Sequence, residues 1–349
     1  MEYSSYQPVV EISRGPIVES LVYGAIAVVD VSGRLIYRWG DPYINTYLRS
    51  SAKPFQALPF VERGGVEHFG LTEEELALLC ASHSGTDEHV RVVTGIQAKC
   101  GILESQLMCG VHPPEHRDTA RAMLMRGEEP TPNRHNCSGK HTGMLAHAIL
   151  RNFSTENYID IHHPVQETIL DTFAEMVSVQ PQNIHLGTDG CSAPVFAVPL
   201  FNAALGFARL ADPSGLAPER AAACRKITHA MAANGFMVAG PGRFDTDVMA
   251  LGNGLIVTKA GAEGYQGMAL LPGALGPDSP ALGVAFKIAD GDQSGRSRPT
   301  VAVEALRQLG AISDEQVRQL SAHGNRPQYN WRKIEIGTIR ASFTLEHLP

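Results

Sequence analysis

The sequence has 349 residues, of which 44% are hydrophobic and 19% are charged. These proportions are ordinary for a globular protein, and the length suits one large domain or two interleaved lobes. The 29 basic and 36 acidic side chains give a formal net charge of −7 without a basic cluster. Nucleic-acid binding is therefore not expected, because that affinity depends on clustered Lys and Arg.

Neither a membrane anchor nor a secretory signal is evident. The N-terminal residues Met1–Ser5 lack a basic segment followed by an apolar run, so no signal peptide is expected. No stretch approaches the ~20 apolar residues that a membrane helix needs. The six cysteines form no CxxC pair, which favours a cytoplasmic protein whose thiols are free or bound to a metal.

The chain begins with β structure. Residues 17–29 are rich in β-branched side chains, Val31–Arg34 is a turn signal, and residues 35–39 return as a strand, which predicts a hairpin. The pattern becomes helical after Arg49. Pro54 must then lie in the first turn of this helix, with Ser50 at or just before its N-terminus.

Two helices and a loop are predicted next. Thr72 begins a capping box that opens a helix extending to about Ala81. Ser82–Gly85 form a loop, and a second helix runs from about Asp87 to Lys99, where Gly101 can end it.

The remaining chain alternates helices and then strands. Helices are predicted at 142–150, after the segment Asn136–His141, and at 163–178 and 216–233. Strands are predicted at 254–261, 282–288 and 333–339. Strands at both ends with helices between them predict an α+β fold. One sheet is formed from both termini (1–50 plus 250–349), and a mainly helical lobe (51–249) is inserted.

The pair Ser50 and Lys53 is the first candidate for catalysis. Three residues apart at a helix start, the hydroxyl and the amine share a face. A serine is a weak nucleophile until a base takes its proton, and a lysine can serve as that base when burial or nearby cations lower its pKa. Taken alone, an SxxK motif is more often a helix cap than a catalytic pair.

Two further motifs strengthen this candidate. Serine acyl-transferring enzymes of the penicillin-recognising type carry SxxK, then S-x-N, then K-T-G on a strand. This chain has Ser50–Lys53, then Ser82-His83-Ser84, then Lys259-Ala260-Gly261. The order predicts a hydrolase with two pairs, Ser50 with Lys53 and Ser82 with Lys259. The alternative is a loop serine at 82 and an exposed strand lysine at 259.

A third cluster has the composition of a metal site. Cys137 lies in Asn136–His141, and Cys191 follows Asp189 about fifty residues later. Two thiolates and a nitrogen ligand can bind zinc. Without a CxxC pair, the spacing alone favours two buried free thiols instead.

Taken together, five segments resemble the L-asparaginase II family of the inducible rhizobial type. The segments are Arg49–Lys53, Ala81–Gly85, Asn136–His141, Gly187–Cys191 and Lys259–Gly264. The resemblance implies hydrolysis of L-asparagine to L-aspartate and ammonia. It also implies a fold similar to serine β-lactamases and glutaminases, and a homodimer.

The resemblance also implies roles for individual residues. Zinc would be held by Cys137, Lys140 and Cys191, with water completing the shell. The two Ser–Lys tandems of the family match Ser50–Lys53 and Ser82–Lys259. Three more residues match family positions near the metal or the substrate, namely Arg49, His141 and Asp189.

The expected mechanism begins with attack of Ser50 on the side-chain amide while Lys53 accepts its proton. Ser82 and Lys259 relay a proton to the leaving ammonia. Ser50 is favoured as the nucleophile over Ser82. A thiolate-rich shell weakens the Lewis acidity of zinc, so a positioning role is favoured over a catalytic one. The alternatives are another serine acyl enzyme, such as a glutaminase or β-lactamase-like hydrolase, and a non-catalytic small-ligand-binding protein with structural zinc.

Overall fold

The computed structural model describes residues 5–349, so Met1–Ser4, from which no signal peptide is expected, lie outside the described part of the chain. The chain divides into two compact units. The sheet unit contains the residues up to Ser51, then Ala197–Asp212 and Leu255–Pro349. The helical unit contains Ala52–Phe196 and Pro213–Gly254.

Strands and helices together confirm the predicted α+β class. The strands are β1 Gln7–Arg14, β2 Ile17–Asp30, β3 Leu35–Trp39, β4 Asn45–Tyr47, β5 His185–Thr188, β6 Pro194–Pro199, β7 Ile256–Gly261, β8 Tyr265–Leu270, β9 Leu282–Ile288, β10 Arg326–Tyr329, β11 Glu335–Ala341 and β12 Glu346–His347. The helices are α1 Lys53–Glu62, α2 Gly65–Phe69, α3 Glu73–Leu79, α4 Asp87–Cys100, α5 Arg117–Arg126, α6 Ser138–Leu150, α7 Pro164–Val177, α8 Leu200–Ala211, α9 Pro218–Ala233, α10 Gly235–Val238, α11 Phe244–Leu251, α12 Arg298–Gln308 and α13 Asp314–Gln319.

The sheet unit is built on an antiparallel sheet made from both ends of the chain, as predicted. Its strand order is β10-β11-β1-β2-β9-β8-β7, with β3 on β2 and β12 on β3. Helix α8 packs on β2, β8 and β9. A Cβ at Gly283 would lie 1.9 Å from the Ala204 carbonyl oxygen, so the helix can approach β9 only because that position carries no side chain.

The helical unit confirms most of the local predictions. Thr72 caps α3 through the full capping box, and Gly101 ends α4 at a positive φ of 69°. The start of α6 was predicted wrongly, because the helix begins at Ser138 rather than Thr142. In the sequence, Gly139 favours a loop over a helix. In the structure it allows α6 to pack closely on α3, since a Cβ at Gly139 would lie 2.1 Å from the Leu78 oxygen.

None of the helices between residues 5 and 349 combines the length and the apolar composition that a bilayer crossing requires.

Candidate functional site

Lys53 is the first residue of α1 and its side chain is completely buried. Its amine donates to three oxygens. These are the Ala81 carbonyl, the Ser82 hydroxyl at 2.9 Å and the Asn136 carbonyl at 3.3 Å. The structure therefore pairs Lys53 with Ser82, whereas the sequence suggested Ser50 as its partner. A buried lysine beside a serine hydroxyl is the arrangement that nucleophile activation needs.

The segment carrying Ser82 is held in place by backbone and side-chain hydrogen bonds. The Ser82 N–H donates to the Val238 oxygen at 2.9 Å, and the Ser84 hydroxyl donates to the Ala239 oxygen at 2.7 Å. A Cβ at Gly240 would lie 2.5 Å from Ser84 Oγ, which shows how closely the two segments approach. The Ser82 hydroxyl is thus held beside the Lys53 amine, although Ser82 lies in a loop.

His83 and Ser138 connect this loop to the start of α6. The Gly85 N–H donates to His83 Nδ1 at 3.1 Å, so the ring proton is on Nε2, which donates to Ser138 Oγ at 2.8 Å. Burial lowers the pKa of His83 well below its usual value, with further lowering by His89 and Lys53. Both residues lie inside the sequence motifs Ala81–Gly85 and Asn136–His141, but no pattern in the sequence predicts a role for either.

The sheet unit carries the other predicted serine and lysine. Ser50 is half-buried in a 3-10 turn, Arg49–Ala52, that precedes α1. The Ser51 hydroxyl donates to the Lys259 carbonyl at 2.6 Å, and a Cβ at Gly261 would lie 2.5 Å from the Leu48 oxygen. The strand with the Lys-Ala-Gly motif therefore runs directly beside the segment of Ser50.

Two details of this region bear on function. Lys259 is completely buried, which rules out the exposed strand lysine considered from sequence, and its amine donates to the Ala260 oxygen at 2.7 Å. Arg49 has a φ of 50°, in the left-handed region that non-glycine residues rarely adopt. Backbone strain of this kind concentrates at functional sites, where it fixes a neighbouring group.

The helical unit also brings the predicted zinc ligands together. Cys137 lies immediately before α6, Lys140 is one turn into it, and the Lys140 amine donates to Cys191 Sγ at 2.8 Å. Asp189 is close as well, with its carboxylate 3.9 Å from the Cys191 sulfur. All three ligand candidates are buried.

Electrostatics in this cluster favour one thiolate. A hydrogen bond from Cys191 holds the pKa of Cys137 well below its usual range, against the effect of burial, and the charges of Lys53 and Lys140 lower it further. Burial lowers the pKa of Lys140, but the sulfurs of Cys191 and Cys137 outweigh it, so the pKa is raised. Both shifts favour a charged Lys140 amine and an ionised Cys137 thiol.

His141 lies beside the same cluster and is completely buried. The Met108 N–H donates to the Tyr158 hydroxyl at 2.8 Å, so that hydroxyl donates to His141 Nδ1 at 2.7 Å. The remaining proton is on His141 Nε2, which has no hydrogen-bond partner in the described structure. Burial lowers the pKa of His141 to about 4, although the Cys191 sulfur opposes this. The ring is therefore neutral and lies beside the Cys191 sulfur.

The three ligand candidates fit a zinc ion in their chemistry. Among the described residues no group of three His, Cys, Asp or Glu side chains converges as a metal site. Zinc bonds of ~2.3 Å to sulfur and ~2.0 Å to nitrogen keep tetrahedral ligands about 3.5 Å apart. If these residues held zinc, the 2.8 Å contact between Lys140 and Cys191 would have to lengthen and Lys140 would have to lose a proton.

Comparison with known proteins establishes the class. The family model "L-asparaginase II" matches residues 10–341, nearly the whole chain. The protein is an amidohydrolase. It belongs to the L-asparaginase II family, as the sequence motifs indicated. A search of curated proteins gives no match.

Glutaminases are among the similar solved structures. The Bacillus subtilis glutaminase YbgJ, in covalent complex with 5-oxo-L-norleucine, is 13% identical with a TM-score of 0.36, over 85% of this chain and 88% of that one. A Bacillus glutaminase in 4.3 M NaCl is 13% identical with a TM-score of 0.37, over 82% and 90%. The class assignment rests on the family match.

Proposed function

We propose that the protein hydrolyses the side-chain amide of L-asparagine to L-aspartate and ammonia through a serine activated by a buried lysine. The observation that carries this proposal is the buried Lys53 amine with its 2.9 Å hydrogen bond to the Ser82 hydroxyl, because this pair can accept the proton of a nucleophilic serine and pass it to the leaving group. Family membership supports the amide as substrate, and the buried Cys137, Lys140 and Cys191 cluster supports the zinc.

In the proposed reaction, Ser50 attacks the amide carbon and Lys53 accepts the hydroxyl proton. The new ester bond forms as the C–N bond breaks, and the nitrogen leaves as ammonia after gaining a proton. Ser82 passes that proton, because protonated Lys53 donates to the Ser82 hydroxyl while Ser82 gives its own proton to the leaving nitrogen, which returns Lys53 to the neutral amine. Water then hydrolyses the acyl-enzyme and restores the serine.

Lys259 and Arg49 have supporting roles in this proposal. Lys259 is buried, and its backbone carbonyl accepts from Ser51, the residue after Ser50, so we assign Lys259 an assisting role in proton transfer. Arg49 binds the substrate α-carboxylate through its planar guanidinium. His141 and Asp189 border the Cys191 sulfur and orient the substrate indirectly, through the cluster.

Zinc, when bound by Cys137, Lys140 and Cys191 with a water, supplies a positive charge that orients the substrate and stabilises neutral Lys140. The zinc content of purified variants tests this proposed metal site directly. Cys137→Ala should lose most of the metal measured by elemental analysis, whereas Cys224→Ala, a buried cysteine on α9, should retain it. Equal zinc in both variants, or no zinc in the wild type, contradicts the assignment.

The nucleophile is tested by following ammonia release from L-asparagine. Lys53→Ala should lower kcat by about 10²–10⁴-fold, as expected for loss of a general base. Ser50→Ala should abolish the covalent aspartyl-enzyme detected by mass spectrometry after rapid acid quench. Ser82→Ala should slow turnover but keep that adduct. An adduct that persists in Ser50→Ala and disappears in Ser82→Ala would make Ser82 the nucleophile.

The substrate is tested with a panel of L-asparagine, L-glutamine and a β-lactam. Fastest turnover of L-glutamine or the β-lactam would replace this proposal by the other serine acyl enzymes. Thermal stabilisation by L-asparagine without ammonia release would indicate a binding protein.

We further propose that the protein is a homodimer in a reducing compartment, where its six free cysteines stay reduced. We place the dimer contact on two hairpins of the sheet unit, which are joined by the hydrogen bond from the Gly15 N–H to the Ile336 oxygen. The exposed apolar side chains of these hairpins are Ile17, Val18, Leu21, Tyr23, Tyr329, Trp331 and Ile334. Exposed apolar side chains mark interaction sites where they adjoin one another.

A further inference from the structure

The hydrogen bond between His83 and Ser138 joins the two chain segments that hold Lys53. The Lys53 amine donates to Ala81 and Ser82 on one segment and to Asn136 on the other. His83 follows Ser82 directly, and Ser138 lies two residues after Asn136. Any change in the separation of these segments therefore changes the position of Ser82 relative to Lys53.

This connection has a fixed direction. His83 Nδ1 accepts from the Gly85 N–H, so only Nε2 can donate to Ser138 Oγ. The Ser138 hydroxyl in turn donates to the Asn133 carbonyl at 3.1 Å. All of these groups are buried, so water does not compete for the bonds. The chain of donors and acceptors is complete from the Gly85 N–H to the Asn133 carbonyl.

We propose that His83 and Ser138 are positioning residues for the amide hydrolysis, which hold the Ser82 hydroxyl at hydrogen-bond distance from the Lys53 amine. This inference rests on the proposed function. His83 does not exchange a proton with the substrate. It acts as a neutral link, and burial keeps its pKa well below neutral pH.

The test compares variants that keep either the hydrogen bond from His83 to Ser138 or the one from the Gly85 N–H to His83. His83→Gln keeps an N–H donor that reaches Ser138, and His83→Asn keeps an acceptor for the Gly85 N–H but loses that donor. His83→Ala and His83→Asn should lower kcat by about 10- to 100-fold with little change in KM, because small misplacement of reacting groups slows the chemical step. His83→Gln should recover most of kcat.

Ser138 provides the second part of the test. Ser138→Ala should reproduce the kcat loss of His83→Ala, and the double variant should lose no more than either single one, because both remove the same bond. The control is Thr228→Ala on α9, which removes a buried hydroxyl that donates to the Cys224 oxygen at 3.0 Å. It should lower the melting temperature and leave kcat unchanged.

Several results would overturn the inference. These are a kcat within twofold of wild type in folded His83→Asn and Ser138→Ala, multiplicative losses in the double variant, or an equal kcat loss in Thr228→Ala. If His83→Ala does not fold, the kcat values of His83→Gln, His83→Asn and Ser138→Ala test the inference without it. A wild-type protein without ammonia release overturns the proposed function and this inference together, whereas active wild type with unaffected variants overturns the inference alone.

Discussion

We expect His147 on α6 to make the folded protein less stable in acid, and its replacement by leucine tests this. The side chain is 2% exposed, and its Nε2 has no hydrogen-bond partner in the described structure. Burial lowers the pKa of His147 to about 4, and the charges of Arg151 and Arg63 lower it further. A cavity of about 10 Å³ beside the ring gives a leucine room to pack.

The magnitude follows from the difference in proton binding between folded and unfolded chains. The folded pKa of about 4 lies below the ordinary histidine pKa of 6.5, so the unfolded chain binds more protons between these values. The contribution of His147 to stability is complete above the unfolded pKa and is lost as pH falls toward 4. From pH 7 to pH 5 the loss is about 2 kcal/mol at ~1.4 kcal/mol per pKa unit.

Urea unfolding at pH 7 and pH 5 measures this effect. His147→Leu should reduce the difference in the free energy of unfolding between the two pH values by about 2 kcal/mol. It should not be less stable at pH 7, because a buried nitrogen without a partner is removed. His185→Leu, on exposed β5, is the control and should leave the difference unchanged. An unchanged difference in His147→Leu would refute the reasoning.

Two further predictions use the packing of α6 and the exposed hairpins. Gly139→Ala should lower the free energy of unfolding by more than ~4 kcal/mol, because its Cβ would meet the Leu78 backbone oxygen. Gly143→Ala, whose Cβ would have its nearest neighbour at 3.5 Å, should raise the free energy of unfolding by about 0.5–1 kcal/mol, and thermal denaturation measures both effects. Trp331→Ser should dissociate the proposed dimer in sedimentation velocity, whereas Leu124→Ser on α5 should not. The two side chains are a matched pair, because Trp331 is 103% exposed and Leu124 is 80% exposed. A dimer that persists in Trp331→Ser and dissociates in Leu124→Ser would place the interface on α5.

Local signals account for the parts of the fold that the sequence predicts well. The capping box at Thr72, Pro54 in the first turn of α1 and Gly101 after α4 are each decided by a few neighbouring residues. The α6 start was missed because Gly139 is a weak helix former, and only its packing against Leu78 explains its place in a helix.

The site required contacts between residues distant in sequence. The motifs identified Ser82 and Lys53 individually, but their 2.9 Å hydrogen bond joins the first residue of α1 to a loop residue that follows α3. The same holds for His83 and Ser138, whose bond spans 55 residues. Neither partner shows a periodic or spacing signal for the other, so sequence alone could list these residues but not pair them.

Release of ammonia from L-asparagine by this chain is best tested by measuring both products in one reaction. Purified wild-type protein, loaded with zinc, is incubated with L-asparagine while ammonia and L-aspartate are quantified together. We expect equal amounts of both products, with turnover lost in Lys53→Ala. No ammonia from L-asparagine, or undiminished release by folded Lys53→Ala, would contradict it.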